Sequence, residues 1–263
     1  MGPVFFLLTD FGLQDPYVGQ MKAVIWSKMP EANILDLSHG VRPHNVLQAG
    51  FFLAASWPYL PPGSVGLAVV DPGVGTSRPI LLCRQNTTYA LAPDNGLLSL
   101  LLDREADCRV WRMHPSIPDQ EVSSTFHGRD LFAPVACQLA NGCHPSQLGT
   151  EIGTEDCRHP MFRPPCREGS RIETRVVHID HFGNCLLSLE AERWSGCFPA
   201  GRSVDLVYPR QASVCRVSTY AQIPQAAVGL LIGSQGFLEL ACNQTSCAQH
   251  MGLDIGDQCT FRL

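Results

Sequence analysis

The sequence predicts an α/β domain, with a mostly parallel sheet flanked by helices, followed by a smaller antiparallel β domain or barrel. Three observations carry this reading. Strand-like and helix-like segments alternate through the first half of the chain. The strands there are continuous apolar runs, the pattern of strands covered on both faces. Beyond a proline-rich stretch, short strand-like runs recur with turn residues between them, as in a small β domain.

Taken in order, residues 4–9 are a short apolar strand closed by Asp10-Phe11-Gly12. Residues 17–29 place Val18, Met21, Ile25 and Met29 near a helical period. Residues 33–37 read as a strand, and 46–57 as a helix closed by Pro58. Residues 65–70 are a second apolar strand, ended by the turn sequence Asp71-Pro72-Gly73. Residues 79–84 and 88–92 are two more strands. Residues 96–102 form a leucine-rich helix behind Asp94 and Asn95, either of which has a side chain able to cap it. Residues 130–140 form another helix, stopped at Asn141-Gly142.

Residues 155–169 change character, with Pro160, Pro164, Pro165 and several charges. The α/β domain therefore spans 1–155, the linker 156–168 and the β domain 169–263. In the β domain the strand-like runs are 172–179, 185–189, 203–207, 214–217, 228–232 and 237–241, and only 246–251 looks helical.

The chain has 263 residues, 45% hydrophobic and 16% charged, enough for a large core. Its net charge of −5 comes with no basic stripe, so phosphate-led nucleic-acid binding is not expected. The apolar run near the start covers only 4–8, too short for a signal-peptide core or a membrane span. A cytoplasmic protein without membrane attachment is expected. The twelve cysteines include no Cys-x-x-Cys pair, so they read as small core residues with inert thiols. Zinc held by scattered Cys and His would leave no trace in sequence and stays open.

Three polar clusters stand at strand ends or helix starts: Thr9–Gly12, Asp71–Arg78 and Phe126–Asp130. In open α/β sheets, ligands sit outside the carboxyl ends of strands, where Asp10 and Asp71 fall. Asp71 ends one strand and Arg78 opens the next. If the loop between them folds back, an ionised aspartate meets a guanidinium, and the pair can orient a water. His127 is the other proton-handling residue flanked by glycine. Each also has an ordinary reading on its own: a turn aspartate, a surface ion pair, a structural histidine. The kinase-like Asp10-Phe11-Gly12 lacks an accompanying glycine-rich loop. The 73–78 loop lacks the ending of a phosphate-binding P-loop.

The strings TDFGLQDPYVGQMKAVI, VVDPGVGTSR, APDNGLL, STFHGRDLFAPVA, HIDHFGNCL and GSQGFLELA occur here in that order. Together they resemble the S-adenosylmethionine hydroxide adenosyltransferase family, the S-adenosylmethionine hydrolases, related to fluorinase and chlorinase. The likeness runs from about Val4 to Gly256. It implies trimers with active sites between subunits, and cleavage of S-adenosylmethionine by water into adenosine and methionine without metal or other cofactor. Carried onto this chain, it implies Asp71, Arg78 and His127 as a water-binding triad, with Gly128 beside it. Asp10 would hold the ribose hydroxyls. Asp180 would lie near the methionine part, and Phe182, Asn184 and Tyr220 near adenine. Ser234 and Glu239 would face the methionine end. His44 in RPHN, and Gly233 and Gln235 around Ser234, depart from the family pattern.

The chemistry implied fits these residues. A sulfonium leaves as a neutral thioether, so no general acid is needed, and positioning a water in line with ribose C5′ can carry much of the rate. Two alternatives stand beside it. A halogenase using chloride would meet repulsion from a carboxylate at Asp71. A non-catalytic adenosine or S-adenosylmethionine-binding protein would not need all three triad residues.

Overall fold

The computed structural model describes residues 2–105, 107–114, 122–158 and 164–263. The chain divides into two compact units, Met1–Met161 and Phe162–Leu263. Of the stretch expected as linker, residues 159–163 lie outside the described residues.

The first unit is built on β1 (Val4–Thr9), β2 (Asn33–Ser38), β3 (Val65–Val69), β4 (Ile80–Gln85), β5 (Thr88–Pro93), β6 (Arg109–Met113) and β7 (Gly149–Ile152). They form one sheet in the order β2-β1-β3-β5-β4-β6-β7. Its helices are α1 (Tyr17–Lys28), α2 (Val46–Ser56), α3 (Ser99–Arg104), α4 (Ala133–Ala140) and the single turn α5 (Pro145–Leu148). Pairings among β2, β1, β3 and β5 are parallel, as the apolar runs predict. The other half, from β5 through β4 and β6 to β7, is antiparallel. From β1 the chain goes to β2 on one side and then to β3 on the other. That reversal opens a crevice at the carboxyl ends of β1 and β3.

Phe5 and Leu7 of β1 and Leu67 of β3 pack against Met21 and Ile25 of α1 and Ala136 of α4, all fully buried. Two expected details differ. Neither Asp94 nor Asn95 caps α3, which begins at Ser99 without a side-chain cap. Asp94 instead accepts the Arg158 N–H, and Asn95 accepts the Leu97 N–H and donates to the Val70 carbonyl. The helix expected at 130–140 starts earlier, with a π-helical turn over Gly128–Phe132 that runs into α4.

The second unit contains β8 (Cys166–Glu168), β9 (Arg171–Ile179), β10 (Cys185–Glu190), β11 (Ser203–Tyr208), β12 (Ala212–Arg216), β13 (Val228–Ile232), β14 (Phe237–Cys242) and β15 (Gln258–Arg262). Seven of them run β10-β14-β13-β12-β11-β15-β9, and β9 pairs again with β10, closing a barrel; β8 hangs on β9 as a hairpin. Neighbours are antiparallel except β12 and β13. Phe198, Leu206, Leu230, Leu240 and Phe261 fill the interior. The helix expected at 246–251 is α7 (Cys247–Met251), capped by Ser246 through its side chain. A short α6 (Ala191–Trp194) precedes it, so α7 is not the only helix here. Among the described residues, no helix is long and apolar enough to cross a membrane.

Candidate active site

β1 and β3 lie side by side in register, Thr9 opposite Val69, so Asp10 and Asp71 emerge at the same edge of the sheet. The loop after β3 turns tightly. The Val74 N–H bonds to the Asp71 carbonyl, and both the N–H and hydroxyl of Thr76 bond to the Gly73 carbonyl. Gly75 sits at φ 78°, and a Cβ there would stand 2.4 Å from the Ser124 carbonyl oxygen. Only glycine fits that approach. The loop then passes over the end of β5 to start β4, returning Arg78 towards Asp71, so the condition for their meeting is fulfilled.

Arg78 donates from Nε to Asp71 Oδ1 at 2.8 Å and from Nη2 to Asp71 Oδ2. The same Nη2 meets His127 Nδ1 at 3.1 Å. The Arg78 and Asp71 side chains are 5% and 4% exposed, so this two-pronged pair is nearly dry. A guanidinium cannot accept a hydrogen bond, so His127 Nδ1 must be the acceptor. The imidazole is therefore neutral, with its hydrogen on Nε2. Burial lowers the His127 pKa, and the Arg78 charge adds to this; Asp71 and Asp130 pull the other way.

His127 stands immediately before the π-helical turn, a rare geometry that often marks functional sites. A Cβ on Gly128 would come within 3.1 Å of Met21 Sδ, so α1 and this turn pack closely at that point. Asp130 steadies the turn by accepting from the Ser123 N–H and the Arg129 guanidinium.

Asp10, Asp71, His127 and Gly128 line one cavity of about 270 Å³, with Arg78 holding Asp71 and His127 from outside its lining. Asp10 Oδ2 accepts the His44 N–H at 2.8 Å. The sequence reading gave no role to the aromatic wall. Phe11, Tyr17 and Phe126 meet edge to face, with centroids 5.3–5.9 Å apart. Phe11 and Tyr17 belong to the TDFGLQDPYVGQMKAVI string and Phe126 to STFHGRDLFAPVA, next to the polar residues of each. Every residue that lines the cavity belongs to the first unit.

The remaining expected residues gather in the second unit. Asp180 Oδ1 accepts the N–H groups of Phe182 and Asn184 at 2.9 and 2.8 Å, and Oδ2 accepts Asn184 Nδ2 at 2.8 Å. Asp180 thus organises its own loop. Gly183 turns it at φ 86°, against Ser246. The loop buries Asn184 and leaves Phe182 76% exposed. Tyr220 donates its hydroxyl to Glu239 Oε1 at 2.5 Å. Glu239 is 3% exposed; burial raises its pKa, the Tyr220 bond opposes that, and the Asp180 charge raises it further. Burial and Glu239 push the Tyr220 hydroxyl well above its ordinary range. Ser234 is exposed on the turn after β13, and the neighbouring Gly233 packs on the Glu239 carboxyl.

Among the described residues, no group of three or more His, Cys, Asp and Glu side chains is arranged to hold a metal. Burial raises the thiol pKa values of Cys137 and Cys157 to about 11, consistent with thiols that stay protonated.

The first unit is thus a split α/β sheet carrying the Asp71–Arg78–His127 group at its strand ends, and the second a seven-stranded barrel. The chain belongs to the SAM hydroxide adenosyltransferase family: the family's N-terminal domain matches residues 5–149 and its C-terminal domain residues 174–260. A Thermus thermophilus protein named (R)-S-adenosyl-L-methionine hydrolase is 38% identical, over 97% of this chain and 98% of its own length. A fluorinase from an Actinoplanes species is 22% identical, over 97% and 95%. Among solved structures, an uncharacterized conserved protein from Thermotoga maritima superposes with a TM-score of 0.88 at 30% identity, covering 99% of this chain and 100% of its own.

Proposed function

We propose that this chain hydrolyses (R)-S-adenosyl-L-methionine to adenosine and L-methionine. The observation that carries this is the bridging guanidinium of Arg78, which holds the Asp71 carboxylate and the neutral His127 imidazole beside the cavity edge occupied by Asp10. His127 Nε2–H donates to a water, and Asp71 accepts one of its hydrogens. A lone pair on oxygen is left for ribose C5′. As the O–C5′ bond forms, the C5′–S bond breaks, and its electron pair goes to sulfur as a neutral thioether. The water's proton passes to Asp71, and Arg78 stabilises hydroxide character as it develops. The leaving group needs no acid, so the reaction runs without metal or other cofactor. A halide would face the Asp71 carboxylate at close range, which favours water as nucleophile.

Asp10 holds the ribose hydroxyls. Phe182, Asn184 and Tyr220 serve adenine, and Asp180, Ser234 and Glu239 the methionine end. A cavity lined by the first unit alone, and an exposed Phe182, support a homotrimer in which the barrel loop of one subunit completes the cavity of another.

The test is incubation of the purified chain with (R)-S-adenosyl-L-methionine, with and without chloride and a chelator. Adenosine and methionine should form in every arm. A 5′-chlorinated nucleoside, or activity lost to the chelator and restored by zinc, would overturn the reading.

A further inference from the structure

Behind Asp10 lies a chain of polar side chains that the reaction above does not use. Thr9 ends β1 and is wholly buried. Its Oγ1 lies 2.8 Å from His39 Nδ1 and accepts the Phe11 N–H at 3.3 Å. His39 is itself 5% exposed. On its other side, Asp36 Oδ1 stands 3.1 Å from Nε2, a polar contact without a well-formed hydrogen bond. Asp36 in turn is held by Lys22 of α1 at 2.6 Å. The main chain repeats the tie, since the His39 carbonyl accepts the Gly12 N–H at 2.8 Å.

The Phe11 N–H takes one lone pair of the Thr9 oxygen, which keeps a second lone pair and its own hydrogen for the bond with His39 Nδ1, while Nε2 faces the Asp36 carboxylate. An apolar side chain would fill this buried position at less desolvation cost. The imidazole therefore serves a directional purpose, and the residue it braces immediately precedes Asp10. From the same segment, His44 takes a left-handed φ of 66° and donates its N–H to Asp10 Oδ2. Backbone strain of this kind persists where the surroundings enforce it.

We infer that His39 is a positioning residue for Asp10, acting through Thr9: the Asp36–His39–Thr9 chain sets the direction in which the Asp10 carboxylate meets its ligand. The inference rests on the reading of Asp10 as the acceptor for ribose hydroxyls. It makes affinity for the sugar diol depend on a side chain that never touches substrate.

The test compares His39→Ala, Thr9→Val and Thr9→Ser with the parent chain. Calorimetry measures binding of adenosine and of 2′,3′-dideoxyadenosine; single-turnover kinetics and thermal unfolding run alongside. The parent should favour adenosine. His39→Ala and Thr9→Val should weaken adenosine about tenfold, the scale of one hydrogen bond to a charged group, while barely changing the dideoxy compound. Thr9→Ser should recover the preference, and saturated single-turnover rates should stay near the parent. A parent that binds both nucleosides equally would sink the ribose reading of Asp10, and this inference with it. A discriminating parent whose variants discriminate equally, or lose both ligands together, would show that His39 only supports the fold. Should His39→Ala fail to fold, Thr9→Val, which keeps the shape of the side chain and removes only the hydroxyl's bonds to His39 and the Phe11 N–H, decides the matter.

Discussion

Arg78 reaches His127 Nδ1 at 3.1 Å with the same nitrogen that grips Asp71 Oδ2. One guanidinium therefore fixes both the carboxylate's orientation and the imidazole's tautomer. Protonating His127 would place a hydrogen where Arg78 donates, so the arrangement is broken by acid.

That relationship predicts the pH dependence. Burial and Arg78 hold the His127 pKa below the ordinary 6.5. The neutral form persists below that pH, and activity falls only as pH drops through the lowered value. The unfolded chain takes up this proton more readily than the folded one, so stability also declines as pH falls below 6.5. The acid limb of kcat/KM should lie below 6.5, and a limb at or above it would contradict the neutral imidazole.

Binding and chemistry should separate by residue. Interactions made chiefly in the transition state lower turnover with little change in affinity. His127→Ala and Asp71→Asn should bind substrate within a fewfold of the parent yet turn it over about a hundredfold or more slowly, the range of lost acid–base groups. Asp10→Ala should instead weaken substrate and adenosine by about 1–3 kcal/mol, as hydrogen bonds to a charged acceptor disappear. Titration calorimetry beside single-turnover kinetics reads the split. If His127→Ala lost binding and kept its rate, the water-handling role would be wrong.

Glu239 should leave a mark on stability rather than on the chemical step. Burial raises its pKa above the ordinary 4.5. The folded chain thus holds that proton more tightly than the unfolded one. The stability this contributes is fully present below pH 4.5 and is lost as pH rises through the raised value. Glu239→Gln stays neutral throughout, so its melting temperature should decline less than the parent's over that window. Parallel curves for parent and variant would show an ionised, well-solvated Glu239.

The proposed trimer predicts complementation. An Asp71→Ala chain and an Asp180→Ala chain, each impaired alone, should regain activity when refolded together, because some mixed assemblies pair an intact cavity with an intact barrel loop. Mixed trimers shown to form without recovery would place both halves of the site on one chain.

Much of this was legible in sequence, for physical reasons that differ by element. Apolar runs in 4–9 and 65–70 could only be buried strands, so the residues following them, Asp10 and Asp71, had to lie at a strand end. The glycines between Asp71 and Arg78 allowed the loop to fold back, and the structure shows that it does. What was missed lacks a strong local signal. β6 carries Arg109 and Arg112, β7 is Gly149–Ile152, and β15 carries Gln258 and Arg262. Each is short and mixes polar with apolar residues, and is made a strand by its neighbours in the sheet. His39 escaped notice because its partners Asp36 and Thr9 surround it only after β1 and β2 pair. The aromatic wall was hidden because Phe11, Tyr17 and Phe126 come from two distant segments.

The barrel has seven members, and that number has a consequence. Around a closed ring, directions can alternate without fault only if the count is even. An odd ring must contain a place where two neighbours point the same way, and here it is β12 beside β13. Parallel neighbours cannot be joined by a tight hairpin; the chain has to travel back the length of the barrel before re-entering it. That return journey is residues 217–227, and Tyr220 rides on it, its hydroxyl anchored to Glu239. The aromatic residue proposed to meet adenine is thus carried by the stretch of chain that the parity of the ring makes unavoidable.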